Sequence, residues 1–221
     1  MINVAIDGPA GAGKSTISRA AAKELGFIYI DTGALYRTVG LNALRTGADL
    51  DSAESVAATL TDDLKVELRF IDGEQRMFLN SEDVSLAIRT PEASMAASKV
   101  SAVPAVREYL FDLQKKLAKE NNCVMDGRDI GTVVLPDAKV KIFLTASPES
   151  RAKRRYDELI QKGMDVKYED VLNDMKQRDY NDSHRAVAPL KPADDAILLD
   201  TSGFELERSV ALIIKTIKEN I

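Results

Sequence analysis

The sequence is poor in several residue types, and each shortage sets a limit. It has one cysteine, one histidine, no tryptophan and 5% aromatic residues in 221 positions. The lone Cys123 can neither close an intramolecular disulfide nor build a zinc site, which fits a reducing compartment. No apolar run approaches the ~18 residues of a membrane-spanning helix. The opening Met1-Ile2-Asn3-Val4-Ala5-Ile6-Asp7 lacks the basic start and long apolar stretch of a secretion signal. A soluble, cytoplasmic protein with no membrane partner is expected. Glycine (12) and proline (7) are too few for collagen or low-complexity sequence. Positive charge is also short. The net charge is −5 and the pI about 5.1, so the basic footprint of a nucleic-acid polymer partner is missing.

The acidity is uneven. Residues 48–92 carry 11 acidic and 4 basic side chains, which leaves the rest slightly positive and able to meet a small anion. With 45% hydrophobic residues the chain has enough for one full core. Ile2–Ile6, Phe27–Ile30, Cys123–Asp126, Val140–Leu144 and Ile197–Asp200 read as buried strands. Segments with helical spacing alternate with them: Lys14–Leu25, Leu35–Leu44, Glu92–Val100, Val106–Ala118, Pro148–Lys162, Tyr168–Tyr180 and Glu205–Lys218. Strand-then-helix order predicts an α/β fold with a parallel sheet covered by helices, its ligand beyond the carboxyl ends of the strands. Residues 64–88 break the pattern. Val66, Leu68 and Phe70 alternate with charged residues, Asp72-Gly73 signals a hairpin, and Met77-Phe78-Leu79 returns. This reads as a small antiparallel insertion.

Gly8-Pro9-Ala10-Gly11-Ala12-Gly13-Lys14-Ser15 follows a strand and opens a helix, the setting of a P-loop. Glycines let backbone N–H groups curl round phosphate, and the helix N-terminus adds partial positive charge. Lys14 is placed to reach the β- and γ-phosphates of ATP, Ser15 to hold Mg²⁺, and Thr16 continues the loop into the helix. A GTPase is excluded, because no Asn is followed by Lys and the one D-x-x-G, Asp200 to Gly203, follows the last strand. The remaining class is a small-molecule kinase.

Such an enzyme must bring two anions together, so arginines should exceed structural need. Arg37 follows Asp31-Thr32-Gly33. Arg128 lies in Asp126-Gly127-Arg128-Asp129. Arg151, Arg154 and Arg155 share one helical face, and Arg178, Asp182 and Arg185 fall at i, i+4 and i+7. Plainer readings exist: a solvated helix face at 151–155, a surface pair of Arg178 with Asp182 worth ~0.3–0.5 kcal/mol, or Arg128 paired with its neighbour Asp129. Residues 147–191 balance 10 basic against 9 acidic side chains, which rules out a nucleic-acid tail. His184 reads as an exposed residue without a role as base.

Taken together, Ile6-Asp7-Gly8-Pro9 with the P-loop, Asp31-Thr32-Gly33-Ala34-Leu35-Tyr36-Arg37, Asp126-Gly127-Arg128-Asp129-Ile130-Gly131-Thr132, Lys141-Ile142-Phe143-Leu144 and Arg185-Ala186-Val187-Ala188-Pro189-Leu190 resemble the bacterial cytidylate kinases, nearly end to end. The resemblance implies one P-loop kinase domain over 1–221, a five-stranded parallel sheet, a monophosphate-binding insertion at about 60–92 with a small antiparallel sheet, and a lid at about 150–187. It implies ATP as phosphoryl donor, Mg²⁺, CMP and dCMP as acceptors, and a monomer. By position, Arg37, Arg128 and Arg185 would hold the acceptor phosphate. Thr32, Ser98, Arg107 and Asp129 would line the cytosine, Arg178 and Asp182 would reach the sugar, and Arg154 would close over ATP beside Gly8–Thr16. Lys14, Arg128, Arg178 and Arg185 would stabilise the transferring group. Kinases of UMP, dTMP or shikimate, and a nucleotide-binding regulator without transfer activity, are the competing readings.

Overall fold

The computed structural model describes the whole chain, Met1–Ile221. Its residues form two compact units: a sheet unit of Met1–Tyr29 with Glu120–Ile221, and a helical unit of Ile30–Lys119.

The chain starts in the sheet unit with β1 (Asn3–Asp7), the glycine-rich loop and α1 (Lys14–Leu25), and the division between the units falls within β2 (Ile28–Asp31). Val4, Ala5 and Ile6 are fully buried, as expected of a central parallel strand covered on both faces. The helical unit follows with α2 (Thr32–Arg45), α3 (Ala53–Ala57), β3 (Val66–Ile71), β4 (Glu74–Leu79), β5 (Glu82–Asp83), α4 (Pro91–Val100) and α5 (Pro104–Glu120). The chain then returns to the sheet unit with β6 (Cys123–Gly127), β7 (Val140–Thr145), α6 (Pro148–Gln161), α7 (Tyr168–His184), β8 (Ile197–Asp200) and α8 (Leu206–Asn220).

The parallel sheet has the order β2-β6-β1-β7-β8. Ile6 lies opposite Asp126 and Asp7 opposite Gly127, while Asp7 also faces Phe143 on β7. The loops after β1 and β6 therefore leave one edge of the sheet at the same level. Ile17 and Ala21 of α1, with Ile213 and Ile217 of α8, close over Val4, Ile6, Val124, Ile142 and Leu144. Full burial of each isoleucine contributes about 1.5–3 kcal/mol. Cys123 is buried at the start of β6, with Asn3 Oδ1 3.2 Å from its sulfur, and burial pushes its thiol pKa up to about 12.

In the helical unit β3 and β4 pair antiparallel around the Asp72-Gly73 turn, and β5 adds a third strand. This is the ribbon that the alternation at 64–88 predicts. Leu64, Val66, Met77 and Leu79 join Leu35 and Val39 of α2 and Leu110 of α5 in one core. α2 and α4 approach closely, since a Cβ at Gly40 would lie 3.0 Å from the Ala96 Cβ.

Two differences from the sequence reading matter for the site. α2 begins three residues earlier than the apolar spacing predicts, because the Asp31 carboxylate accepts the Ala34 N–H at 2.9 Å and caps the helix. α7 runs on to His184. Arg178 and Asp182 are therefore helical, and Arg185 is the first residue past the helix.

Candidate active site

The P-loop begins with a close approach. Gly8 has φ +147°, and a Cβ there would sit 1.9 Å from the Leu144 carbonyl oxygen on β7. No side chain fits without moving the loop off the sheet. Gly8→Ala is expected to cost about 3 kcal/mol, read as a lower urea midpoint at unchanged m-value.

Gly11 and Gly13 take left-handed conformations, which glycine adopts without steric cost, and Gly13 leads into α1. The buried Lys14 ammonium donates to the Gly8 and Pro9 carbonyls, both at 2.7 Å. Burial pulls its pKa down to about 7, and the charge of Arg128 pulls the same way. The lysine is thus held inside the loop in a place that disfavours its charge until an anion arrives.

Ser15 Oγ donates to Asp126 Oδ2 at 3.0 Å, and the Tyr29 hydroxyl lies 3.1 Å from Asp126 Oδ1. A serine hydroxyl beside a carboxylate at a strand end is the hard-oxygen donor set that suits Mg²⁺. The sequence places Asp126 at the end of a strand and in the Asp126-Gly127-Arg128-Asp129 motif, but gives it no metal role. Its place beside Ser15 comes from the strand register, which one sequence does not give. Asp7 is a second such residue. Its buried carboxylate accepts the Ile130 N–H at 2.8 Å and the Gly131 N–H at 2.7 Å. Burial raises its pKa to about 6, against the pull of those two bonds. It anchors a wide helical turn over Ile130–Val134 that the sequence reading missed. There the Val134 and Leu135 N–H groups bond five residues back, to the Asp129 and Ile130 carbonyls. Arg128 and Asp129 are fixed at the head of that turn.

The arginines do not pair with their sequence neighbours. Arg128 Nε donates to Asp182 Oδ2 at 2.8 Å, and Arg185 Nη2 to Asp129 Oδ1 at 3.2 Å with both side chains almost fully buried. Arg185 Nε also donates to the Ala188 carbonyl at 2.7 Å, and Ala188 holds φ +49°. Arg178, half-buried on α7, makes no direct ion pair of its own, because Asp182 turns to Arg128. Burial lowers its pKa, and the like charge of Arg128 lowers it further. The charges of Asp182 and Asp179 offset part of that effect.

The 151–155 cluster divides. Arg155 pairs with Glu158 on the surface, Arg154 donates to the Thr201 and Phe204 carbonyls, and Arg151 turns inward. The shared helical face therefore does not give the three a shared role. Arg154 stays near the loop, its Nη1 4.0 Å from where a Gly13 Cβ would be. His184 is exposed and stacks on Tyr180, with ring centroids 4.0 Å apart.

In the helical unit, Arg37 Nη2 donates to Asp31 Oδ2 at 2.9 Å while its buried Nε meets no acceptor. Thr32 is buried in the first turn of α2, and Tyr36 follows one turn later on the same face. The Arg107 guanidinium lies over the Tyr36 ring, 5.8 Å from its centroid, and donates to the Ser101 carbonyl at 3.4 Å. Ser98, in the last turn of α4, accepts the Ser101 hydroxyl on its own carbonyl at 2.9 Å. The sequence reading named Thr32, Ser98 and Arg107 but missed Tyr36, the ring beneath the arginine. Its only local signal is the four-residue spacing from Thr32.

A loop shaped for polyphosphate, with a lysine held inside it and arginines clustered at the same sheet edge, on a parallel sheet of this order, defines a P-loop kinase. The comparisons narrow the class. The cytidylate kinase family model matches residues 4–219, and the chain belongs to that family. It is 49% identical over 224 residues to the cytidylate kinase of Caldicellulosiruptor bescii, covering 100% of this chain and 99% of the relative. It is 51% identical over 215 residues to that of Pelotomaculum thermopropionicum, covering 96% and 94%. Among solved structures, an uncharacterized protein from Eubacterium ventriosum aligns over 99% of both chains with a TM-score of 0.52 at 14% identity, a likeness of fold alone.

Proposed function

We propose that the protein transfers the γ-phosphoryl group of ATP directly to CMP or dCMP, giving ADP and CDP or dCDP. Membership of the cytidylate kinase family supports the reaction. The structural observation that supports it is the glycine loop with the Lys14 ammonium held inside it by the Gly8 and Pro9 carbonyls. Coupled ADP release with ATP–Mg²⁺ and each of CMP, dCMP, UMP, dTMP, AMP and shikimate tests it. Turnover confined to CMP and dCMP is expected. Turnover with another acceptor would keep the kinase and discard the base contacts below.

In this reading Gly8–Thr16 wrap the donor phosphates, Lys14 reaches the transferring group, and Arg154 closes on the nucleotide. Ser15 and Asp126 would hold Mg²⁺, which would supply charge neutralisation for the transferring group. The acceptor phosphate is already an anion, so no general base is required. Arg37, Arg128 and Arg185 aim it, and Arg178 and Asp182 reach its sugar. Residues of about 150–187 act as the lid, which excludes water and limits wasteful hydrolysis. Residues of about 60–92 act as the monophosphate-binding insertion. The enzyme works as a cytoplasmic monomer.

Base choice follows from donor and acceptor counting. Cytosine presents acceptors at O2 and N3 and a donor at N4, whereas arginine only donates. Arg107, steadied by Tyr36 and the Ser101 carbonyl, faces O2 and N3. Ser98 or Asp129 accepts from N4. Uracil turns an N3–H toward the guanidinium and leaves donors unpaired, which such sites reject strongly. Arg107→Met is expected to remove most of the preference for CMP over UMP in kcat/KM. An unchanged ratio would refute the base role.

A further inference from the structure

Arg151 shares a helical face with Arg154 and Arg155 in the sequence, yet it is unavailable to any ligand. Its side chain is 3% exposed. Nε donates to the Ala146 carbonyl at 2.8 Å, Nη1 to the Ala10 carbonyl of the P-loop at 2.9 Å, and Nη1 and Nη2 together grip Asp179 on α7. The two-pronged grip fixes orientation as well as charge, which a lysine cannot reproduce. An apolar contact acts alongside it. A Cβ on Gly11 would lie 3.0 Å from Met175 Cε and 3.3 Å from Arg151 Cβ, so α7 rests its methionine on the P-loop where that glycine leaves room. Asp179 follows Arg178 directly and precedes Asp182, the residue that holds Arg128.

We propose that Arg151 is a positioning residue that ties the state of the P-loop to the placement of α7, so that donor polyphosphate and acceptor nucleotide bind with positive coupling. Phosphate in the loop restricts its backbone, including the Ala10 carbonyl. A fixed Ala10 carbonyl fixes the Arg151 fork, and the fork fixes Asp179 with its neighbours Arg178 and Asp182. The ordering cost of α7 is then met once, when the first ligand binds, and the second binds more tightly. The inference rests on the kinase reading above for the identity of the two ligands.

The test is calorimetric titration of the full chain with CMP, alone and in saturating Mg²⁺ with a non-hydrolysable ATP analogue. The analogue is expected to tighten CMP binding about tenfold, within the range usual for coupled sites. Asp179→Asn keeps the shape and one acceptor oxygen but loses the charged grip. Arg151→Lys keeps the charge and loses the fork. Either variant should cut the tightening to twofold or less, while the affinity for CMP alone changes less than threefold and melting remains cooperative. A residue that only stabilised the fold would lower the melting temperature and leave the ratio of the two affinities intact. Wild-type protein without coupling, or folded variants that keep it, overturns the proposal. If CMP fails to bind and another nucleoside monophosphate does, the substrate reading fails, and the same ratio measured with that nucleotide still decides the role of Arg151.

Discussion

Lys14→Ala should lower turnover with ATP and CMP by about 10³ or more, by comparison with other cations that stabilise a transferring phosphoryl group. That corresponds to about 4 kcal/mol of transition-state stabilisation. The lysine is already inside the loop, held by the Gly8 and Pro9 carbonyls, so little reorganisation precedes the reaction. Its buried setting disfavours charge in the protein alone and rewards it when phosphate charge arrives. The loop backbone and the start of α1 still attract phosphate without it. The loss should therefore fall mainly on kcat and less on the KM for ATP. Steady-state kinetics of coupled ADP release reads both, and a loss below tenfold removes Lys14 from the transition-state role.

Arg185→Ala should have an effect of similar size, about 10³ in turnover, for a different geometric reason. Arg185 begins the non-helical segment after α7 and is aimed by two fixed acceptors, Asp129 Oδ1 and the Ala188 carbonyl. Ala188 holds a left-handed conformation rare for a non-glycine residue, so the carbonyl that steers the guanidinium sits on a strained turn. Removing the arginine also leaves the Asp129 carboxylate buried without this partner, which costs stability. Urea unfolding measures that cost separately. Arg185→Lys should retain most of the stability yet recover only part of the rate. One ammonium cannot keep the fork that spans Asp129 and Ala188 while it faces a phosphate. A variant that stays folded and keeps more than a tenth of wild-type turnover would place Arg185 outside the reaction.

The readable parts of the sequence were those in which one short segment carries its own cause. Gly8–Ser15 announces a P-loop because turn, cation and hydroxyl are adjacent. Asp72-Gly73 announces the hairpin of β3 and β4, and Pro104 marks the first residue of α5. The side-chain partnerships were hidden, because each joins residues that the fold alone brings together. Neighbour spacing suggests Arg128 with Asp129 and Arg178 with Asp182. The fold instead pairs Arg128 with Asp182 and Asp129 with Arg185. Arg151 looked like one more cation on a helix face because helical periodicity does not say which side of the helix is covered. The wide turn at Ile130–Val134 has no periodic signature, since its anchor, Asp7, lies 123 residues earlier than the first amide it holds.

The seclusion of Cys123 has a practical consequence for these experiments. Its thiolate is suppressed at working pH and its side chain is sealed at the start of β6, so alkylating dyes and spin labels should leave it unmodified in the folded protein. A cysteine introduced at the exposed Ser183 then provides a single reactive handle on α7 without a cysteine-free background. Fluorescence or paramagnetic probes attached there can follow the helix in real time as nucleotides bind.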